Sequence, residues 1–384
     1  MQKILCIALT LVLACFQSVW AEVHVLSIND FHGWVEEAGS SPGMAKLAAF
    51  MNDYQRRHAN VIVVSAGDNY QGEALSSLSR GDLVNELFGL IGLQYSAMGN
   101  HEFDWGTEHF ARWNASGVQY LAANIVDQST GEAPAWVKPY AIVQAGGKKI
   151  AFIGLSTRET PGSTAPRHLK GLRFENAALS SQRWIRYLRE GRDEQGAPDA
   201  VILLTHVPSF KDRATGVIFG EELSELTRLK GVDAVITGHS HRRVSGRHKG
   251  IPVVQAGCFG KAVGVLRLKF DGQRLVGITP AVIECKGGQG AMPADPRALT
   301  VIETYRKRMS GLIDRTVCRL RSDLPFERGR IEQLTPLGYL ICKAVQTQTG
   351  VQVALVNNGA IRRGLNAGVV TYGHIMGVFP FDDY

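Results

Sequence analysis

Residues 23–33 read V-H-V-L-S-I-N-D-F-H-G, an apolar and β-branched run that ends in Asp30, His32 and a glycine. The run is too short for a helix, and its composition favours a buried strand. Asp30 and His32 are two positions apart, so both side chains point to the same side of an extended segment. We therefore predict a strand whose carboxyl end presents two polar side chains toward one site.

Four further predicted strands end in the same way. The runs at 61–65, 95–98, 200–205 and 233–237 are short and largely apolar, and each is followed at once by polar residues. The candidate site residues after these four runs are Asp68, Asn100, His206, His239 and His241. A glycine stands beside most of them and allows the backbone to turn tightly.

Segments with helical spacing separate most of these strands. They lie at 44–57, 83–91 and 178–192, and two more strands are predicted at 149–155 and 252–255. Alternation of this length indicates an α/β (α+β) fold with a largely parallel or mixed sheet. Ligands in such folds bind beyond the carboxyl ends of the strands, which is where the candidate residues fall.

The residue types at the strand ends indicate metal binding. Five of the 11 histidines lie at these exits. Seven candidate ligands are too many for one tetrahedral zinc ion and suit two divalent cations that share a carboxylate, with Asp68 as the expected bridge. Mixed imidazole, carboxylate and amide ligands suit Mn, Zn or Co, with Fe as a further option, better than Ca or Mg. Taken alone, an aspartate that follows a strand is also typical of a helix cap or a turn, which is the alternative to a metal ligand.

Five sequence blocks carry a resemblance to a known family. In chain order they are I-N-D-F-H-G, G-D-N-Y-Q-G, G-N-H-E-F-D-W-G, T-H-V-P and G-H-S-H, and together they resemble the calcineurin-like metallophosphoesterases. The F-D-W-G after G-N-H-E resembles the secreted 5′-nucleotidase/UDP-sugar hydrolase branch of that superfamily. The resemblance implies a four-layer αββα sandwich that holds two metal ions.

The resemblance also assigns roles to individual residues. It implies that one metal is held by Asp30, His32, Asp68 and His241, and the other by Asp68, Asn100, His206 and His239. It implies that His101 and Asp104 form a catalytic dyad. A water shared by two cations becomes a nucleophile near neutral pH. His101 then stabilises the developing charge or protonates the leaving oxygen, and Asp104 fixes its tautomer. The alternatives are a further metal ligand for His101 and a helix cap for Asp104.

The C-terminal part resembles the family's substrate-binding domain. The segment N-N-G-A-I-R at 357–362 is similar to its N-G-G-G-I-R motif, which implies that Asn357 and Arg362 contact substrate. The F-P-F at 379–381 implies that Phe381 stacks on a nucleobase. A tight turn and a core position are the alternatives for these segments. Arg330 lies one residue from the spacing expected for an anion-binding arginine, and its role stays open.

The expected organisation has four segments. They are a signal peptide at 1–21, a di-metal phosphoesterase domain at 22–285, a linker and helix at 286–314, and a partial C-terminal domain at 315–384. The last segment is predicted to contain a helix at 336–348 and a strand at 351–356. The family's version of this domain is longer than 70 residues, so we expect a truncated domain here.

The N-terminus has the pattern of an export signal. Lys3 precedes a short apolar run, and Val19-Trp20-Ala21 then places small residues at the positions that favour cleavage after Ala21. Lipidation at Cys15 is the alternative. No apolar stretch of 18 residues occurs, so no membrane span is expected. We expect a periplasmic protein, or an outer-surface lipoprotein if Cys15 is used. The pairing of Cys258, Cys285, Cys318 and Cys342 and the oligomeric state stay open.

These observations predict an exported metal-dependent phosphohydrolase. Its substrates are expected to be 5′-nucleotides, with UDP-sugars as an additional candidate, and a hydroxide that bridges the two metals would be the nucleophile. The alternatives are a 2′,3′-cyclic phosphodiesterase, a thiosulfohydrolase-like esterase, and a non-catalytic metal or nucleotide binder. The chain has 384 residues, 45% of them hydrophobic, which excludes a disordered protein. Its net charge of +7 is compatible with an anionic small molecule. Nucleic acid is not expected, because basic runs such as 242–249 resemble solvated loops.

Overall fold

The computed structural model describes residues 20–288, 292–326 and 334–381. The expected signal segment up to position 19, with Cys15, and also Arg330 lie outside the described residues. The first strand begins at Trp20, so Trp20 and Ala21 are paired opposite Asp271 and Phe270. None of the helices in the described ranges is both long and apolar enough to cross a membrane.

The strands follow one another along most of the chain. In order they are β1 (Trp20–Ile28), β2 (Val61–Ser65), β3 (Leu93–Ala97), β4 (Gln119–Leu121), β5 (Ile125–Asp127), β6 (Tyr140–Ala145), β7 (Lys148–Leu155), β8 (Leu172–Phe174), β9 (Ala200–Pro208), β10 (Phe210–Lys211), β11 (Ile218–Phe219), β12 (Ala234–Gly238), β13 (Arg243–His248), β14 (Ile251–Ala256), β15 (Ala262–Asp271), β16 (Arg274–Glu284), β17 (Thr316–Leu320) and β18 (Gly368–Thr371).

The α-helices lie between these strands. They are α1 (Gly43–Arg57), α2 (Ala74–Leu78), α3 (Asp82–Gly89), α4 (Phe110–Ala115), α5 (Thr160–Ser163), α6 (Ala177–Arg189), α7 (Glu221–Leu226), α8 (Pro296–Ile313), α9 (Pro336–Thr349) and α10 (Tyr372–Val378). Short 3₁₀ turns occur at His101–Phe103, Pro166–Leu169 and Asn358–Ala360.

Two six-stranded sheets form the centre of the fold. The first has the order β16-β15-β1-β2-β3-β4 and the second the order β13-β14-β12-β9-β7-β6. In the first sheet β1, β2, β3 and β4 are parallel, and in the second β7, β9, β12 and β14 are parallel. The carboxyl ends of the parallel strands therefore share one edge of each sheet.

Three apolar clusters give the layers. The inner cluster lies between the sheets and takes Val23 and Val25 from β1 and Ile202 and Leu204 from β9. A second cluster covers the outer face of the first sheet with α1, α3 and α8, and a third covers the outer face of the second sheet with α6 and α7. Residues of β9 alternate between the inner and outer clusters, as a strand buried on both faces requires. The fold is a four-layer αββα sandwich, which confirms the predicted fold class.

The C-terminal part packs against the first sheet's helical layer. Helix α8 contributes Ala298, Ile302 and Ile313 to the outer cluster, and α10 contacts α2 and α8. A smaller cluster around Leu337, Ile361, Leu365, Val370 and Val378 joins α9, α10 and the antiparallel pair β17–β18. This part places residues 362–381 above the carboxyl edge of the first sheet.

One predicted strand is wrong. Residues 351–356 have no regular structure, and Val353 and Leu355 are 73% and 92% exposed. The alternating apolar pattern predicts a strand, but within the described residues no neighbouring strand pairs with it. The four cysteines whose pairing was open are free thiols.

Candidate metal centre

The candidate ligands meet where the carboxyl edges of the two sheets face each other. The loops after β1, β2 and β3 supply residues from the first sheet, and those after β9 and β12 supply residues from the second. Five of these residues have backbone φ angles of 49–68°: Asp30, His32, Asp68, His239 and His241. Left-handed backbone is costly for residues with a side chain and concentrates at functional sites. The strained backbone of these five residues therefore directs their side chains toward the candidate site.

One group of three side chains joins the two sheets. Asp30, His32 and His241 each offer a ligand atom, and these atoms lie within 4.8 Å of one another. The two Nε2 atoms of His32 and His241 are 3.1 Å apart, and His241 Nε2 is 3.2 Å from Asp30 Oδ1. Asp30 and His32 are buried.

A second group has the same character. Asp68, His206 and His239 also offer atoms within 4.8 Å of one another. His206 Nε2 is 3.1 Å from Asp68 Oδ2, and His239 Nδ1 is 3.3 Å from His206 Nε2. Asn100 joins this group, because its Oδ1 is 3.0 Å from His239 Nδ1.

Asp68 lies between the two groups. Its Oδ2 is 3.1 Å from His206 Nε2 and 3.8 Å from His32 Nε2. The other oxygen, Oδ1, accepts a hydrogen bond from the backbone N–H of His101 at 2.9 Å. The Oδ1 atom of Asp68 is therefore held by a backbone N–H, and the Oδ2 atom faces histidines of both groups.

Hydrogen bonds outside the groups decide which ring nitrogen faces inward. His32 Nδ1 donates to the carbonyl of Gln71 at 2.9 Å, and His206 Nδ1 donates to the carbonyl of Ala66 at 2.7 Å. Since a carbonyl only accepts, the Nε2 lone pair of each neutral ring is left for a ligand. His239 is reversed: its Nε2 lies 2.9 Å from Glu159 Oε2, and its Nδ1 faces inward.

Burial and neighbouring carboxylates shift the pKa values of the candidate histidine ligands. Burial lowers the pKa of His32 well below its usual value. Burial opposes protonation of His206 and His241 as well, but the carboxylates of Asp68 and Asp30 raise their pKa values to about 10 and about 9. Acidic surroundings that favour a proton on these rings also favour a metal cation, and the two compete for the same lone pairs.

The residues fit two divalent cations. Asp30 Oδ1 is buried 3.2 Å from His241 Nε2, and both atoms belong to the same ligand group. A cation would satisfy this buried carboxylate oxygen and the ring nitrogen together. The donors are imidazole nitrogens, carboxylate oxygens and an amide oxygen, a set suited to transition-metal ions and zinc.

The predicted dyad stands beside Asp68. His101 begins a 3₁₀ turn, and its Nδ1 is 2.7 Å from Asp104 Oδ2. Its ring centroid is 5.3 Å from that of His32. Burial lowers the pKa of His101, but Asp104 and Asp68 together outweigh burial and raise it. The turn required for Asp104 to reach His101 is thus present.

Two of the three predicted substrate-binding residues reach the dyad. Arg362 Nη2 donates to His101 Nε2 at 3.2 Å, and the Phe381 ring lies 5.7 Å from the His101 ring. The Arg362 guanidinium stands 5.2 Å above Phe381. Asn357 is exposed, and its Oδ1 accepts from the backbone N–H of Gly359 at 2.9 Å. Its side chain caps a local turn, which is the alternative considered for this segment.

Two carboxylates that contact the candidate site are not assigned from the sequence. Glu102 is fully buried and accepts hydrogen bonds from the backbone N–H groups of Asp68, Asn69 and Gly99 at 2.6–2.8 Å. These hydrogen bonds link the loops after β2 and β3. The position of Glu102 within the G-N-H-E-F-D block is the sequence feature that could have indicated its role. Glu159 orients His239 and follows the predicted strand at 149–155, so the strand-end argument would have found it.

The fold and the paired ligand groups define a dinuclear metal-dependent hydrolase as the class of protein. The chain belongs to the calcineurin-like phosphoesterase family, whose model matches residues 23–243, more than half of the chain. A second model, the 5′-nucleotidase C-terminal domain, matches residues 319–384. These matches confirm the predicted family and class of enzyme.

Several characterised proteins are similar along most of the chain. Endonuclease YhcR of Bacillus subtilis is 26% identical over 94% of this chain, which spans only 31% of that protein. Protein UshA of Yersinia enterocolitica is 25% identical over 94% of this chain and 72% of its own length. The crystal structure of a 5′-nucleotidase precursor from Thermus thermophilus superposes with a TM-score of 0.76 at 25% identity, over 94% of this chain and 74% of that one.

Proposed function

We propose that this chain is a metal-dependent phosphohydrolase that releases phosphate from 5′-nucleotides, with UDP-sugars as a second group of substrates. The observation that carries the proposal is the position of Asp68 between two ligand groups, with the His101–Asp104 pair directly beside it. Relatives named 5′-nucleotidase from Vibrio cholerae and Bos taurus, each 25% identical, support the substrate class.

The proposed ligands follow the two groups. One cation would be held by Asp30, His32, Asp68 and His241, and the other by Asp68, Asn100, His206 and His239. We propose Mn, Zn or Co, because imidazole nitrogens dominate the donor set. When bound, such ions would lower the pKa of a water nucleophile and draw electron density from the phosphoryl group.

His101 is the proposed proton donor or charge stabiliser. Asp104 holds the Nδ1 proton, which keeps Nε2 turned toward the space that Arg362 and Phe381 border. His101 Nε2 accepts a hydrogen bond from Arg362. A proton bound there in place of that hydrogen bond can be donated to the oxygen that leaves with the nucleoside, which removes the cost of releasing an alkoxide. The raised pKa of His101 favours the protonated ring that this role requires.

Arg362 and Phe381 are the proposed contacts for the nucleoside. The exposed part of the Phe381 ring offers a stacking surface, and the guanidinium above it offers donors to phosphate or hydroxyl oxygens. Asn357 is not included, because its side chain caps the turn at Gly359.

We also propose export, with residues 1–21 as the signal segment, residues 22–285 as the phosphoesterase domain and residues 315–384 as part of a substrate-binding domain. A Listeria monocytogenes relative named cell wall protein Lmo0130, 26% identical over 94% of this chain, supports a location outside the cytoplasm.

A substrate panel tests the proposed activity. Purified protein with added Mn or Co is assayed with AMP, UDP-glucose, 2′,3′-cyclic AMP and p-nitrophenyl phosphate. The proposal expects AMP to be the preferred substrate. Preference for the cyclic nucleotide would favour the phosphodiesterase alternative. Two bound metals by elemental analysis without hydrolysis of any ester would leave only a binding protein.

A further inference from the structure

A cleft of about 830 Å³ opens beside His241, on the side of the second sheet. Its lining includes Lys211, Arg213, Phe219 and Arg242, which we call the basic-aromatic cleft. None of these four residues belongs to the ligand groups or to the dyad. The cleft reaches the metal centre at His241, whereas Arg362 and Phe381 reach it at His101.

A short hairpin builds one wall of the cleft. Strands β10 and β11 pair antiparallel, and Asp212 caps the turn between them by accepting from the backbone N–H of Thr215 at 2.7 Å. Ile218 is buried where Gly246 of β13 leaves room for it. Lys211 Nζ donates to the carbonyl of Ser245 at 3.0 Å, so the hairpin is fastened to β13.

The cleft carries uncompensated positive charge. Arg243 pairs with Glu284, but the exposed guanidinium groups of Arg213 and Arg242 form no ion pair with any described residue. Asp212 is the acidic residue in the lining, and it is committed to the hairpin turn. Two or more free cations beside a phosphoesterase centre attract an additional anionic group.

The cleft also presents an aromatic surface. The rings of Phe210 and Phe219 are stacked with centroids 5.4 Å apart and an interplanar angle of 21°. Phe219 is 50% exposed, so about half of its surface is open to solvent. A flat exposed ring among cations is the combination that binds single-stranded nucleic acid, by stacking on bases and pairing with phosphates.

We propose that the basic-aromatic cleft binds a short single-stranded oligonucleotide that continues from the phosphate held at the metal centre. This inference rests on the proposed phosphohydrolase function and extends the ligands of that site to oligonucleotides. The nucleoside on one side of the phosphate occupies the Arg362–Phe381 side, and the next nucleotide lies along Arg242, Arg213 and Phe219.

This proposal departs from the sequence-based expectation that nucleic acid is not a ligand. That expectation is based on basic residues that are consecutive or nearly consecutive in the sequence. The run at 242–249 is typical of a solvated loop. Lys211 and Arg213 lie about thirty positions away along the chain, and the fold alone brings them next to Arg242 and an exposed ring.

Binding of a phosphorothioate hexathymidylate, whose linkages resist hydrolysis, tests the cleft directly. Fluorescence anisotropy is measured with the metal-loaded full chain over a range of salt concentrations. Arg213→Ala/Arg242→Ala is expected to weaken binding at least tenfold and to reduce the slope of log K against log salt by about 1.4, since each lost phosphate contact accounts for about 0.7. Circular dichroism checks that the variant is folded.

The control removes the same charge elsewhere. Arg228→Ala/Lys230→Ala changes two exposed cations at the opposite end of β12 and should leave binding unchanged within about twofold. Equal affinities for the cleft variant and the wild-type chain would overturn the proposal. AMP hydrolysis by the wild-type chain is scored separately, so failure of the proposed function and failure of the cleft are distinguished.

A second variant separates a nucleotide from any other polyanion. Phe219→Ala is expected to weaken hexathymidylate binding about tenfold, because a stacked base loses its platform. A sulfated hexasaccharide of similar charge lacks flat bases and should compete poorly. Equal competition by the saccharide, together with no effect of Phe219→Ala, would show a general polyanion site and contradict the proposal.

Discussion

Single side chains at this centre are oriented by partners that are not themselves ligands. The Nδ1–H groups of His32 and His206 donate hydrogen bonds to backbone carbonyls, so Nε2 of each ring faces the candidate metal site. In His239 the contact with Glu159 is made by Nε2, so Nδ1 faces the site. The residue types and their order at strand ends are visible in the sequence, and they predict the seven candidate ligands that the fold brings close together. The choice of nitrogen is not visible, because it depends on carbonyls and a carboxylate that only the fold brings near.

The first prediction at this scale concerns the dyad. His101→Ala should lower kcat for AMP by about 10²- to 10⁴-fold, because the leaving oxygen loses its proton donor or charge stabiliser. Metal content should not change, since His101 is not among the proposed ligands. Steady-state kinetics and elemental analysis check both. An unchanged kcat would remove His101 from the mechanism, and lost metal would make it a ligand instead.

The second prediction concerns Glu159. Glu159→Ala should weaken metal binding at the Asp68–His206–His239 group by about 10- to 100-fold, because His239 loses the partner that holds its ring in place. Calorimetric metal titration of the metal-free protein measures this. Glu190→Ala, an exposed glutamate at the end of α6, is the matched control. Equal metal affinities of the two variants would show that Glu159 does not position His239.

At the scale of elements, local pattern and tertiary pairing contribute differently. Strands β2, β9 and β12 are buried on both faces, and their continuous apolar runs predict ends within about three residues of those in the structure. Residues 351–356 have a similar pattern but no partner strand among the described residues, and they are irregular. A strand needs a hydrogen-bonded neighbour, and the apolar pattern of this segment does not show whether one is present.

The third prediction concerns α8. Asp295 caps this helix by accepting from the backbone N–H of Arg297 at 2.9 Å, and it also accepts from Asn52 Nδ2 of α1 at 3.1 Å. Asp295→Ala should therefore reduce the free energy of unfolding by about 1 kcal/mol. Urea denaturation measures the change, and Asp295→Asn should retain most of the cap.

The pH dependence of this cap has a defined sign. The hydrogen bond from the Arg297 side chain is the main cause that lowers the pKa of Asp295 to about 2. A depressed carboxyl pKa gives stabilisation that is present above the unfolded value of about 3.9 and is lost as the pH falls toward 2. The difference between wild type and Asp295→Ala should shrink over that interval. A difference that stays constant from pH 5 to pH 2 would contradict this role.

At the scale of the whole molecule, the candidate metal centre lies between two sheets that pack against each other through an apolar cluster. Asp30, His32 and Asp68 come from the first sheet, and His206, His239 and His241 come from the second. The C-terminal part is tied to the same place, since Gln71 Nε2 donates to the carbonyl of Pro380 at 3.2 Å and Arg363 lies 3.8 Å from Glu73.

The fourth prediction follows from this linkage. Removal of metal by a chelator should lower Tm, because a ligand that binds only the folded chain stabilises it by about 2.7 kcal/mol at 100 times its dissociation constant. Scanning calorimetry with and without chelator measures the shift. Restoring Mn should restore Tm. An identical Tm in metal-free protein, verified by elemental analysis, would show that the centre does not link the sheets.

We propose that hydrolysis depends on two cations, which Asp68 would help to hold together with the other candidate ligands. The most direct test is to titrate metal-free protein with Mn and follow phosphate release from AMP at each ratio of metal to chain. Activity should rise to its maximum at two equivalents, and Asp68→Asn should stay inactive at the same ratio. Full activity at one equivalent, or in the Asp68→Asn variant, would contradict it.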